Sequence, residues 1–112
     1  MLIYFKTRNL QKICSKENEA VKKLGLKMAR KLQQRMMELS AAPCLDDISK
    51  LPPPRCHQLK GNRTGQFSVD LDHPYRLIFI LANDSESEKK KDGSLDLSKI
   101  DTIEITDIVD TH

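Results

Sequence analysis

The chain contains no tryptophan, and phenylalanine and tyrosine together supply an aromatic content of only 4%. Its core must therefore be built mainly from Leu, Ile, Val and Met. It also lacks a long apolar run: nothing approaches the ~20 residues that a membrane-spanning helix requires. The opening stretch Met1-Leu2-Ile3-Tyr4-Phe5 is cut short by Lys6 and Arg8, too soon for the apolar centre of a signal peptide. These absences lead to the expectation of a cytoplasmic protein with no membrane partner. The cysteines Cys14, Cys44 and Cys56 are odd in number and far apart, which suits neither a disulfide framework nor a zinc site. They are read as reduced, partly buried thiols. Cys56 adjoins His57, but neighbours in a strand point to opposite faces, which argues against a thiol–imidazole pair.

What the sequence does have is charge, 31% of residues, and enough apolar content, 38%, for one modest core. With 112 residues, one domain spanning 1–112 is expected. The net charge of +3 conceals a polarity. Residues 1–40 carry +7, residues 41–81 carry +1 and residues 82–112 carry −5. A basic first third suits a polyanion, a solvated helix face or an acidic protein partner.

Leu2 to Phe5 reads as a strand, and Arg8 to Cys14 as a short helix with Leu10 and Ile13 inward. From about Asn18 to Ser40 the apolar residues Val21, Leu24, Met28, Leu32, Met36 and Leu39 recur at steps of three and four, the pattern of one buried helical stripe. Lys22, Lys23, Lys27, Arg30, Lys31 and Arg35 are assigned to the remaining, solvated surface. Gly25 marks a break point within this stretch. A short helical turn is expected from Leu45 to Leu51. The run Pro52-Pro53-Pro54 then ends helical structure, because it lacks amide donors. Beyond it the period changes to two. Cys56 to Leu59 is a strand, Gly61 to Gly65 a hairpin loop, and Phe67, Val69 and Leu71 alternate with Gln66, Ser68 and Asp70. Tyr75 to Leu81 is almost wholly apolar, as a strand covered on both faces would be. Residues 83–98 are polar and read as a flexible insertion before a last strand from Ile100 to Val109. Strand, helices, then strands is the order of an α+β domain, with an amino-terminal strand and helices packed on one face of a largely antiparallel sheet.

Three features exceed what such a fold needs. Arg55, His57, Lys60 and Arg63 fall within nine residues, with Arg55 and His57 two apart and so on one face. Arg76 interrupts the apolar strand, where an unpaired charge is costly to bury; it needs Asp70, Asp110 or a functional site as its partner. The chain ends in Asp110-Thr111-His112. Together these residue types suit metal-free cleavage of an RNA phosphodiester. His57 and His112 can serve as acid and base. Lys60, Arg63 and Arg76 can stabilise the negative charge that grows on phosphorus. The nucleophile is the substrate's own 2′-hydroxyl, so no cofactor or metal is expected.

The stretch Arg55-Cys56-His57-Gln58-Leu59-Lys60-Gly61-Asn62-Arg63-Thr64-Gly65-Gln66-Phe67-Ser68-Val69, followed by Tyr75-Arg76-Leu77-Ile78-Phe79 and the ending Ile108-Val109-Asp110-Thr111-His112, resembles HigB toxins of the RelE/ParE superfamily. The resemblance implies a RelE-like fold and a toxin that cleaves messenger RNA in the ribosomal A site. It also implies neutralisation by a HigA-type helix-turn-helix antitoxin, with operator DNA bound only through the toxin–antitoxin complex. Carried over by position, His57 and His112 take catalytic roles with Asp110 as the terminal acid. Arg76 takes the arginine that stabilises the scissile phosphate, and Lys60 a phosphate contact; Arg55 and Arg63, its basic neighbours, are assigned with it to RNA phosphate binding. Thr111 departs from the pattern, which has tyrosine there, and the insertion is longer than in compact members. Two rivals remain. One is a ParE-type gyrase inhibitor with no need of acid–base residues at these positions. The other is a catalytically weakened regulator that acts by binding a partner.

Overall fold

Gly25 divides the longest apolar stripe of the chain into two helices. The structure, a computed structural model, describes residues 1–82 and 91–110. In it, α1 spans Arg8–Ser15, α2 Glu17–Leu24 and α3 Leu26–Ala41. Thr7 caps α1, its side-chain oxygen accepting from the Leu10 amide at 3.1 Å. Gly25 sits at φ 85° and ψ 162°, a backbone region open essentially to glycine alone. The stripe then continues on α3, where Met28, Leu32 and Leu39 are buried.

Among the described residues, five strands form one sheet in the order β1-β5-β4-β3-β2. They are β1 (Leu2–Phe5), β2 (His57–Gln58), β3 (Gln66–Asp70), β4 (Tyr75–Leu81) and β5 (Thr102–Asp110). Only the β1–β5 pair is parallel. The helices bury Phe67, Val69, Leu77, Phe79, Ile103 and Ile105 of one sheet face. Phe67 and Phe79 lie opposite each other on β3 and β4 and stack with ring centroids 5.7 Å apart. The expected α+β architecture, with helices on one face of a largely antiparallel sheet, is the one observed. The apolar run of β4 is explained as expected: Leu77, Ile78 and Phe79 all have no exposed surface, although they alternate between the two faces.

Several expected boundaries shift. The strand foreseen from Cys56 to Leu59 pairs only at His57 and Gln58. The helical turn foreseen from Leu45 to Leu51 is a single 3-10 turn, Leu45–Asp47. The hairpin loop contains another, Gly61–Arg63. Residues 83–90 of the insertion lie outside the described residues. Its latter part is no free excursion, because Leu95 and Leu97 pack against the core and Leu97–Lys99 forms a 3-10 turn. The largest correction concerns Arg35. Placed on the solvated face of the helix by its charge, it is only 3% exposed. Its Nε donates to the Asp70 carbonyl at 2.7 Å and its Nη1 to Glu38 Oε1 at 3.2 Å. A guanidinium can be buried when its donors find such partners.

A methyl group added at Gly25 would meet nothing within 4 Å, so any penalty there is one of backbone conformation. Gly25→Ala is accordingly expected to cost about 1–3 kcal/mol in urea unfolding; an unchanged midpoint would show that the φ value is not required.

Candidate active site

The sheet face turned away from the helices carries Gln66, Ser68 and Asp70 from β3 and Arg76, Ile78 and Ile80 from β4, by strand alternation and register. His57 pairs with Ser68, and Ser68 with Ile78. The floor of this face is not open: Ser68 and Ile78 are both fully buried. Cationic side chains stand at both ends of β3.

At one end, Asp70 lies opposite Arg76 in register. Arg55 approaches from the turn before β2, with φ 47°, the left-handed region that few non-glycine residues adopt. Its Nε donates to Asp70 Oδ2 at 2.7 Å and its Nη2 to Asp70 Oδ1 at 3.1 Å. Arg76 Nε is 3.7 Å from the same Oδ1. Of the two partners that the sequence left open for Arg76, the register therefore favours Asp70. Hydrogen bonding to Asp70, aided by its charge and opposed by partial desolvation, holds the Arg55 guanidinium above its ordinary pKa. A cleft of ≈ 380 Å³ opens here, lined by Arg55, Asp70 and Arg76 together with His73, Pro74 and Tyr75.

At the other end, Arg63 Nη1 donates to Gln66 Oε1 at 2.9 Å. Lys60 precedes this turn and is exposed. His57 stands between the two ends. Its Nδ1 lies 3.0 Å from the Arg55 carbonyl oxygen. That oxygen can only accept, so Nδ1 carries the proton in the neutral ring and Nε2 presents a lone pair. From His57 to Arg76 the path crosses two strand spacings and two residues, roughly 12 Å between Cα atoms by strand geometry. Substrate placed between their side chains would meet a base from one side and a cation from the other.

The structure thus brings Arg55, His57 and Arg76 to one face, with Arg63 reaching its far end through Gln66. Asp110 is different: it pairs with Tyr75, while Arg76 pairs with Val109, so alternation sets Asp110 and Arg76 on opposite sides of the sheet. His112 and Thr111 lie outside the described residues. Sequence reasoning missed the central position of Asp70, although its two-residue spacing from Ser68 already placed it on this face. It missed Arg35 as well, since a lone arginine in a lysine-rich helix carries no signal of burial. Among the described residues, no three His, Cys, Asp or Glu side chains converge as a metal site would require. Nor is any described helix long and apolar enough to cross a membrane.

The arrangement of helices and sheet is that of YoeB- and ParE-type toxins, the RelE-like fold. A YoeB/ParE toxin from Agrobacterium tumefaciens superposes with a TM-score of 0.58 at 11% identity, covering 100% of both chains. A chain of a YoeB-YefM complex from Staphylococcus aureus gives a TM-score of 0.55 at 16% identity, covering 100% of this chain and 98% of the other. At such identities the likeness establishes the fold. No protein-family model and no curated protein matches the sequence.

Two outcomes follow from buried groups of the fold. Among the described residues the Ser68 hydroxyl has no hydrogen-bond partner, and an unsatisfied buried polar group costs about 1–3 kcal/mol. Ser68→Ala should therefore leave stability equal or higher, and a lower urea midpoint would reveal a partner for the hydroxyl. Burial raises the Cys14 thiol to about 12 and the Cys56 thiol to about 11. Between pH 9 and 11 the unfolded chain loses these protons first, so it binds fewer than the folded one and stability falls as pH rises. A Cys14→Ala/Cys56→Ala variant should lose less stability than wild type between pH 7.5 and 10.

Proposed function

We propose that the protein is the toxin of a type II toxin–antitoxin system and acts as a ribosome-dependent, metal-independent endoribonuclease. The observation that carries this reading is His57: its Nδ1 is tied to a backbone carbonyl, and its Nε2, without a hydrogen-bond partner among the described residues, shares a sheet face with the Arg55–Arg76 pair. His57 Nε2 takes the proton from the 2′-hydroxyl, whose oxygen attacks the adjacent phosphorus. Arg76, assisted by Arg55, balances the charge on the five-coordinate phosphorus. Departure of the 5′-oxygen, protonated by a general acid, leaves a 2′,3′-cyclic phosphate and a 5′-hydroxyl. His112 is assigned that acid role on the sequence resemblance; Asp110, the resemblance's terminal acid, lies on the sheet side opposite Arg76 and is given no part in the step. Lys60 and Arg63 hold flanking phosphates, and the messenger is presented in the ribosomal A site.

Such a toxin requires an antitoxin, and the HigB resemblance suggests a HigA-type helix-turn-helix partner that carries the complex to operator DNA. The solved YoeB-YefM complex is a precedent for a two-protein assembly on this fold. The strongly basic first third suits an acidic segment of that partner. The ParE reading, gyrase inhibition by binding alone, gives no role to a histidine oriented on the same sheet face as paired arginines.

Expression without antitoxin is expected to arrest growth, with new messenger 5′ ends appearing only when ribosomes are engaged. His57→Ala and Arg76→Ala should relieve the arrest, Arg76→Ala lowering the cleavage rate by about 10²–10³. Lys60→Ala should instead weaken RNA binding and reduce its salt dependence by about one counterion. Normal growth on soluble wild-type protein would sink the toxin reading, whereas DNA damage with intact messenger would favour gyrase as the target.

A further inference from the structure

We propose that Asp70 is a positioning residue that joins Arg55 and Arg76 into one phosphate-binding fork and trims the charge of that fork from +2 to +1. The Asp70 carboxylate is held on both oxygens: Arg55 takes it through Nε and Nη2 at 2.7 and 3.1 Å, and Arg76 Nε stands 3.7 Å from Oδ1. Asp70 is itself fixed by its backbone. Its amide donates to the Pro54 carbonyl at 2.7 Å, and its carbonyl accepts from buried Arg35 at 2.7 Å. The carboxylate is therefore anchored at its root, and two guanidiniums from different segments are set around it. Arg55 turns its Nε edge to Asp70, and both arginines line the cleft of ≈ 380 Å³, each with an Nη group that has no partner among the described residues. The left-handed backbone of Arg55 has its counterweight in this clamp.

Two effects of opposite sign follow. Without the carboxylate the guanidiniums would repel each other and splay, and donors out of alignment stabilise a transition state poorly. With it, the fork attracts a resting phosphate less strongly than two free cations would. Asp70 therefore weakens ground-state binding while favouring the chemical step, the combination that raises turnover. The inference rests on the ribonuclease reading for its rate effect only; the effect on binding requires no cleavage.

The test uses the full chain, an RNA oligonucleotide carrying a 2′-deoxy residue at the cleavage position, and ribosomes programmed with the all-ribose messenger. Asp70→Asn keeps the shape and one acceptor oxygen while removing the charge. It is expected to bind the deoxy-substituted RNA about threefold or more tightly, with a salt dependence steeper by about one counterion. Its single-turnover cleavage should fall by about tenfold or more. Asp70→Glu keeps the charge and displaces the carboxylate, so binding should stay within twofold of wild type while cleavage again slows. This second variant also covers a failure of Asp70→Asn to fold. Unchanged or weaker RNA binding by Asp70→Asn, or cleavage within twofold of wild type by either variant, would overturn the proposal. Absence of cleavage by the wild-type protein would overturn the ribonuclease reading instead, and the binding measurement would then decide the role of Asp70 by itself.

Discussion

Three other parts of the chain meet at Asp70, the last residue of β3. Arg35 arrives from α3, Pro54 and Arg55 from the turn before β2, and Arg76 from β4. A single residue thus ties the helical layer to the sheet, secures the end of the proline run and arranges the cations of the outer face. Arg35 can be buried because the Asp70 carbonyl and Glu38 take its donors. Arg76 is tolerated in an apolar strand because the register sets a carboxylate opposite it. Arg55 occupies an uncommon backbone region where its side chain is held bidentately. Remove the register of β3 on β4, and each of these charges loses its reason for being where it is.

That register in turn depends on the core. Phe67, Val69, Leu77 and Phe79 alternate onto the helix side, and a slip of one residue would turn all four outward. The same pleat that buries them sends Ser68, Asp70, Arg76 and Ile78 to the other side. Packing on one face thereby sets the spacing of functional groups on the other. Ser68 and Ile78 on that side are themselves covered, so the polar groups it leaves accessible are the flanking cations and His57.

Much of the fold was legible because its signals are local. A three-and-four repeat of apolar residues marks a helix stripe, Gly25 marks its division, and two-residue alternation after the prolines marks strands. The candidate site was legible in part for the same reason: Arg55 and His57 are close in sequence, and Arg76 is conspicuous in an apolar strand. Arg35 was misjudged because its burial depends on an acceptor that chain proximity does not reveal, the Asp70 carbonyl 35 residues away. Asp70 drew attention only as one of two partners for Arg76. Its hold on Arg55 is formed across 15 residues and a turn of unusual conformation.

By itself, then, the amino-acid order determined the element types, the apolar faces and the cluster of basic residues with a histidine, since these follow from periodicity and composition over a few residues. Only the tertiary structure decided which charges are partners. It paired Arg76 with Asp70, placed Asp110 beside Tyr75 instead, sank Arg35 into the interior and oriented His57 through the Arg55 carbonyl. Partners of that kind are chosen by strand register and helix docking, which bring distant residues within a few ångströms. No local pattern in the chain encodes those distances.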